Sequence, residues 1–249
     1  MRLTLLGTGD AAGIPLYGCE CEQCIMARQL PGSRRGPASA LLEVDDKRYL
    51  IDAGLMDIAE RFPPAVLDGI FLTHFHPDHV QGLFHLRWGM GKKIPVYCPT
   101  DNTGCADLFK HPGILDFQVL RKYESLTIGE LMITPLPLIH SRPTLGYLFE
   151  SKGHRIAYLV DTKDVPSRVE QLLHDSHLAT LVIDTCEPPG VEKRNHNNLD
   201  DTLSLHQRIG PGKTIMTHIN HDFDLWLNGN LNSLPVNVVP GYDGCIAFP

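Results

Sequence analysis

Within six positions this chain holds four side chains able to bind divalent cations: His74, His76, Asp78 and His79, in Thr73-His-Phe-His-Pro-Asp-His79. Imidazole nitrogens and carboxylate oxygens together suit Zn²⁺, Mn²⁺, Fe²⁺ or Ni²⁺, and residue type alone does not choose among them. The apolar run Ile70-Phe-Leu72 before them reads as a buried strand, so the ligand-type side chains begin where the strand ends. In extended backbone His74 and His76 face one way, whereas Pro77 starts a turn into a helix and sends Asp78 and His79 in another direction. One segment can therefore serve two ions, and paired ions roughly 3.5 to 4 Å apart are a device for hydrolysis.

The elements that must position this cluster are visible as short runs. Strands are expected at Leu3–Leu6, Ser39–Val44, Tyr49–Asp52, Gly69–Thr73, Pro95–Cys98, Leu131–Leu136, Gly146–Phe149, Arg155–Val160, Leu178–Asp184 and Lys213–Thr217. Helical patterns fit Pro77–Arg87, Asp101–Lys110, Pro166–His174, Leu199–Arg208 and Asp222–Asn228. Adjacent strands dominate the first half and strands alternate with helices in the second, which predicts an α/β protein, an αββα sandwich of two mixed β-sheets with helices outside. Pro31–Pro37 and Glu187–Asn198 read as long irregular loops, a usual place for function.

The cation motif resembles the signature of the metallo-β-lactamase superfamily, and the resemblance extends over almost the whole chain. His140, Asp161 and His218 each close an apolar run and stand where that family places its remaining ligands. The resemblance implies His74, His76 and His140 on one ion, Asp78, His79 and His218 on the other, and Asp161 between them, so that Asp78 counts as a catalytic residue as well as a ligand. Asp52, in Leu50-Ile-Asp-Ala-Gly54, matches the family's acid that orients the ligands from behind. A glutamate at position 76 would have suggested di-iron redox chemistry; the histidine there favours hydrolysis.

A second cluster, Cys19-Glu-Cys21-Glu-Gln-Cys24, puts three thiols in a glycine- and proline-flanked loop and reads as a zinc knuckle. A closed structural zinc needs a fourth ligand, for which Cys98, Cys105, Cys186, Cys245 or a histidine are candidates. His221 is preferred, three residues after His218, because a zinc there would tie the N-terminal loop to the rim of the active site. The expected organisation is one domain over residues 1–249 with the knuckle inserted at about 17–37.

Composition narrows the partners. A formal charge of −7 disfavours a large polyanion, since nucleic-acid binding rests on a basic surface, but it leaves room for a small anion held locally. No apolar stretch approaches the roughly 20 residues needed to span a bilayer, and Leu3–Leu6 is too short for a secretory signal. A cytoplasmic protein with reduced thiols is expected.

The knuckle after Gly7-Thr-Gly9, the segments Val80-Gln-Gly-Leu-Phe84 and Leu86-Arg-Trp88, and Arg194-Asn-His196 together resemble a narrower family. This is the phosphoribosyl cyclic phosphate phosphodiesterase family of the carbon-phosphorus lyase pathway for phosphonate breakdown. Asp107-Leu-Phe-Lys-His-Pro-Gly113 and Gly146-Tyr-Leu148 extend the match. The resemblance implies hydrolysis of 5-phosphoribosyl 1,2-cyclic phosphate to ribose 1,5-bisphosphate with two divalent catalytic ions, Mn or Zn, and one structural Zn. It also implies that His196 protonates the departing sugar oxygen. Arg34, Arg35 and Arg87 are candidates for the 5-phosphate, because guanidinium matches phosphate oxygens. The glycines of Gly7-Thr-Gly-Asp-Ala-Ala-Gly13 serve either a phosphate contact or a tight turn. The expected partner is a small phosphorylated sugar, with no nucleic acid and no membrane, and a homodimer is allowed. Competing readings are a transfer-RNA 3′-endonuclease, a thioester or lactone hydrolase, and a metal-binding protein without turnover.

Overall fold

A computed structural model describes residues 1–248. One sheet contains β1 (Arg2–Gly7), β2 (Ser39–Val44), β3 (Lys47–Ile51), β4 (Gly69–Phe71), β5 (Ile94–Cys98) and β6 (Leu115–Val119). The other contains β7 (Leu126–Ile128), β8 (Leu131–Pro137), β9 (Leu145–Ser151), β10 (His154–Leu159), β11 (Thr180–Asp184), β12 (Lys213–Thr217) and β13 (Val238–Pro240). A last strand, β14 (Ile246–Ala247), returns to pair with β1, giving the orders β14-β1-β2-β3-β4-β5-β6 and β13-β12-β11-β10-β9-β8-β7. Both sheets are mixed: β3 to β6 run parallel in one and β10 to β13 in the other, with antiparallel pairs at β1–β2, β2–β3 and β7 to β10.

Helices α1 (Glu22–Gln29), α2 (Ile58–Arg61), α3 (Pro77–Val80), α4 (Leu83–Leu86), α5 (Ala106–Lys110), α6 (Ser167–Asp175), α7 (Leu199–Ile209) and α8 (His221–Asn230) complete the order. The sheets meet over Leu3, Leu5, Tyr49, Phe71, Tyr147, Phe149, Tyr158 and Val182, all buried. Phe71 is the hub, with ring centroids 4.8 Å from Tyr97 and 5.4 Å from Tyr147. Leu50, Ile70 and Leu72 on the outer face of the first sheet pack with Ile58, Leu83 and Leu108 of α2, α4 and α5. Leu159 and Ile183 do the same for the second sheet with Val169 and Leu205 of α6 and α7. This is the expected αββα sandwich: strands apolar on both faces need a layer on each side.

Several boundaries differ from the sequence reading. Pro77–Arg87 forms two short helices instead of one, because the amide of Gly82 turns to the Ala53 carbonyl. Only Ala106–Lys110 of the Asp101–Lys110 run is helical, since Asp101 caps the turn at Thr103. Pro31–Pro37 includes a turn of 3-10 helix over Pro31–Ser33. The expected loop around the three cysteines contains α1, which carries Cys24.

The parallel strands of both sheets deliver their carboxyl ends to one edge, where open α/β sheets bind ligands. Asp52 and His74 follow β3 and β4, whose register pairs Ile51 with Phe71. Asp161 follows β10, Asp184 ends β11 and His218 follows β12, with Asp184 opposite Thr217. Gly54 admits the ligand loop: a Cβ there would lie 1.8 Å from the Asp78 carbonyl oxygen.

Candidate metal centre and catalytic site

The donors form two groups joined by one carboxylate. In the first, His76 Nδ1 lies 2.8 Å from His74 Nε2 and 3.1 Å from His140 Nε2. The other nitrogens of those two rings are engaged. Thr73 Oγ1 points its proton at Asp52 and so accepts from His74 Nδ1 at 3.0 Å, while His140 Nδ1 donates to the Asn195 carbonyl at 3.1 Å. Burial pushes His74, His76 and His140 below the usual histidine range, so the rings are neutral and these hydrogen bonds fix the tautomers of His74 and His140. Bare nitrogen lone pairs therefore converge at about the spacing that ligands 2.0–2.1 Å from one cation adopt.

The second group is held by carboxylates. His79 Nδ1 donates to Asp52 Oδ2 at 2.8 Å, leaving Nε2 3.2 Å from Asp78 Oδ2 and 3.5 Å from Asp161 Oδ2. His218 Nε2 is 3.7 Å from Asp78 Oδ2 and 3.4 Å from Asp161 Oδ2. Asp161 Oδ2 also lies 3.7 Å from His74 Nε2 and 3.8 Å from His140 Nε2, so one buried oxygen faces both groups. Burial opposes charge on His79 and His218, but Asp161 and its neighbouring acids outweigh it and hold both imidazoles protonated well above their usual range. A metal ion needs those nitrogens bare, so cations would replace protons there.

The residues fit two divalent cations by another measure. Among the described residues, His79 Nε2, both nitrogens of His218, Asp161 Oδ1 and Asp184 Oδ1 are buried without a hydrogen-bond partner. Buried polar atoms in native proteins are otherwise almost all paired. His74, His76, His140 and Asp161 form one set whose ligand atoms lie within 4.8 Å of each other, and Asp78, His79 and His218 form another. His218 and Asp52 also have left-handed backbone, at φ 58° and 56°, a strain that clusters at functional positions.

Asp52 joins the two ligand strands from behind. It accepts from the Thr73 amide at 2.8 Å, the Thr73 hydroxyl and His79, with no exposure to solvent. Asp52→Ala is expected to weaken metal affinity by about 10–100-fold, measured by competition with a chelator. Unchanged affinity would show that His79 needs no orienting partner.

His196 comes from the irregular segment after β11. Its Nδ1 lies 2.8 Å from Asp184 Oδ2, and its ring stacks on His218 with centroids 4.9 Å apart. Burial works against the imidazolium, but the Asp184 carboxylate outweighs it and raises the pKa. Asp184 was not singled out in the sequence, although it closes Leu181-Val-Ile183 much as Asp161 closes β10. Cys186, read as a plain buried cysteine, belongs to the site: its thiol, with donors of His196 and His218, falls within the same 4.8 Å limit.

The knuckle residues also meet. Cys21 Sγ is 3.2 Å and Cys19 Sγ 3.6 Å from His221 Nε2, and Cys24 completes a four-ligand group. The Cys24 amide and then His221 draw the Cys21 thiol down to about 6. Cys98, Cys105, Cys186 and Cys245 lie outside this group.

One sequence reading is corrected and one open alternative is narrowed. Arg35 is bound to Asp224 at 2.7 Å and to Thr8 Oγ1 and the Gly241 carbonyl. Arg34 reaches the Ala27 carbonyl, and Arg87 pairs with Asp107 at 2.7 Å beneath Phe84 and Trp88. Arg35 and Arg87 are thereby tied to internal partners, whereas Arg34, itself exposed, meets main-chain carbonyls only. The Gly7–Gly13 turn likewise spends the amides of Gly9, Asp10, Ala12 and Gly13 on internal acceptors, which favours the packing role of its glycines.

Histidine and aspartate donors at the carboxyl ends of strands in an αββα sandwich define a metallo-hydrolase class. The chain belongs to the beta-lactamase superfamily, whose domain matches residues 47–219. It is similar to the crystal structure of a diphosphatase from the PhnP family, 27% identical with a TM-score of 0.83, over 99% of this chain and 97% of that one. An octanoyltransferase of Porphyromonas gingivalis is 28% identical over all of this chain and 51% of its own length. A ribonuclease Z of Methanopyrus kandleri is 26% identical over 49% of this chain and 47% of its own. The chain thus spans about half the length of these two curated relatives. No helix among the described residues is long and apolar enough to cross a membrane.

Proposed function

We propose that this chain is a dinuclear metal-dependent phosphodiesterase that opens the ring of 5-phosphoribosyl 1,2-cyclic phosphate to give ribose 1,5-bisphosphate, as in the phosphonate-degrading family it resembles. The observation that carries the reading is the His196–Asp184 pair standing against a full two-cation donor set. Likeness to a PhnP-family diphosphatase over nearly the whole chain supports it.

His74, His76 and His140 would hold one ion, Asp78, His79 and His218 the other, with Asp161 shared; Mn or Zn suits these donors. When bound, the two ions supply Lewis acidity toward phosphoryl oxygens and nucleophilic water near neutral pH. Asp184 orients the His196 ring through Nδ1 and favours its protonated form, so that Nε2 would face the substrate. Cleavage of the P–O2 bond releases a sugar alkoxide, a poor leaving group, and His196 gives it a proton. Cys19, Cys21, Cys24 and His221 would hold a structural Zn.

The metal-reconstituted protein is expected to turn over the cyclic sugar phosphate with a higher kcat/KM than thioesters, lactones or precursor tRNA. Faster acyl hydrolysis, or tRNA cleavage at physiological salt, would replace this reading. His196→Ala should keep both catalytic ions and lose on the order of 10²-fold on the sugar substrate, but much less on bis(p-nitrophenyl) phosphate, whose leaving group needs no proton. Equal losses on the two would remove the acid role.

A further inference from the structure

Beside His140 is a cavity of about 430 Å³ lined by Ile139, His140, Ser141, Arg194 and Asn195. Among the described residues Arg194 is the one arginine whose guanidinium has no carboxylate, carbonyl, hydroxyl or aromatic ring against it. The acids of its own segment are committed elsewhere: Glu192 to Lys163 at 3.1 Å, Glu187 to Lys193 at 3.7 Å and Asp200 to the Gly190 amide at 2.8 Å. An exposed arginine on a loose loop would mean little. This segment is fastened on both sides of His196, by the Asn195 carbonyl to His140 Nδ1 and by Asn197 to the Asp184 carbonyl and the Asp164 amide. Arg194 is thus an uncommitted cation, one residue from a contact to a ligand histidine and two from the proton donor.

We propose that Arg194, with the Ser141 hydroxyl and the Asn195 amide, forms a subsite for a second, non-reacting phosphate monoester of the substrate. This rests on the phosphodiesterase reading and adds what that reading lacks, the side chain that selects a phosphorylated sugar over a bare one. Guanidinium engages a phosphate through paired, charge-assisted hydrogen bonds, which suits a terminal phosphate carrying several free oxygens. Because the subsite touches His140 and not the Asp184 side of the centre, it contributes to KM and leaves the proton transfer alone.

The test compares 5-phosphoribosyl 1,2-cyclic phosphate with ribose 1,2-cyclic phosphate on the metal-loaded enzyme. Arg194→Ala should raise KM for the first by about 10- to 100-fold, the worth of one charged hydrogen-bonding partner, with kcat unchanged, and leave both constants for the second as they were. Arg194→Lys should recover part of the difference. An unchanged KM for the phosphorylated substrate, or equal loss on both, overturns the subsite. If the wild-type protein turns over neither cyclic phosphate, the phosphodiesterase reading fails on its own, and calorimetric binding of ribose 5-phosphate decides the subsite. Binding weakened by Arg194→Ala then supports it, and equal binding to both proteins, the mark of a phosphate lying on the metals, overturns it.

Discussion

Asp161→Asn is expected to leave the purified protein with fewer than two active-site metal ions per chain and to lower the proposed phosphodiesterase activity by about 10³-fold. The reason lies in one oxygen atom. Asp161 Oδ2 is within 3.8 Å of the ring nitrogens of His74, His79, His140 and His218, and the side chain is almost wholly buried. Burial alone would raise its pKa, but the facing imidazoles hold it well below the carboxylate range, so the group is an anion between two cation sites. Asparagine keeps the shape and removes the charge. Metal ions contribute several kcal/mol of transition-state stabilisation, and each 1.4 kcal/mol is a factor of ten, which gives the stated loss. Metal analysis alongside kinetics, with circular dichroism to confirm folding, reads the result. A variant that retained both ions and activity within tenfold of the parent would show that Asp161 does not join the two sites.

Much of this arrangement could be read from the chain because its ligands sit at the ends of apolar runs. His74 after Ile70-Phe-Leu72, Asp161 after Ile156–Val160 and His218 after Thr214–Thr217 all follow parallel strands, and parallel strands are apolar on both faces and conspicuous in sequence. What stayed hidden lacked that contrast. β6 buries fully only Leu115, and β7, β13 and β14 have two or three residues each at or beside a sheet edge, so no run marks them. The helix α1 buries Gln23, Cys24 and Ala27 and leaves Ile25 and Met26 exposed, the reverse of an amphipathic pattern. Asp184 ends a strand as many aspartates do, and only the fold brings it under His196. Whether an arginine is spent or available depends on the carboxylates around it. For that reason Arg35 and Arg194 look alike in sequence and part ways in the structure.

The inverted burial of α1 leads to the second large effect. With so little apolar surface beneath it, the segment around residues 17–37 depends, besides the main-chain pairs of Arg35 with Ile14 and Gly36 with Gly9, on two side-chain clusters. One is the four-ligand knuckle of Cys19, Cys21, Cys24 and His221. The other is a polar network in which Asp224 of α8 accepts from Gln23 of α1 and pairs with Arg35, itself bound to Thr8 after β1. Zinc in the knuckle would act as a cross-link between Cys19 and His221, closing most of the chain into one loop. A cross-link of that span contributes about 3 kcal/mol or more. Cys21→Ala is therefore expected to lose one zinc per chain and about 6–12 °C in Tm, the shift that 3 kcal/mol produces in a protein of this size. Limited proteolysis should then cut within residues 17–37, while the variant keeps the two ions proposed for His74, His76, Asp78, His79 and their partners. Because His221 follows His218 by three residues, the loosening should also weaken the ion assigned to Asp78, His79 and His218 more than its neighbour, a bias that metal titration resolves. A wild-type protein that carries no zinc beyond its active-site ions, or a variant that melts with the parent, would leave the three thiols as unligated side chains. The polar network of Asp224, the main-chain pairs of Arg35 with Ile14 and Gly36 with Gly9, and the Gly36 amide on Asp243 would then anchor this segment.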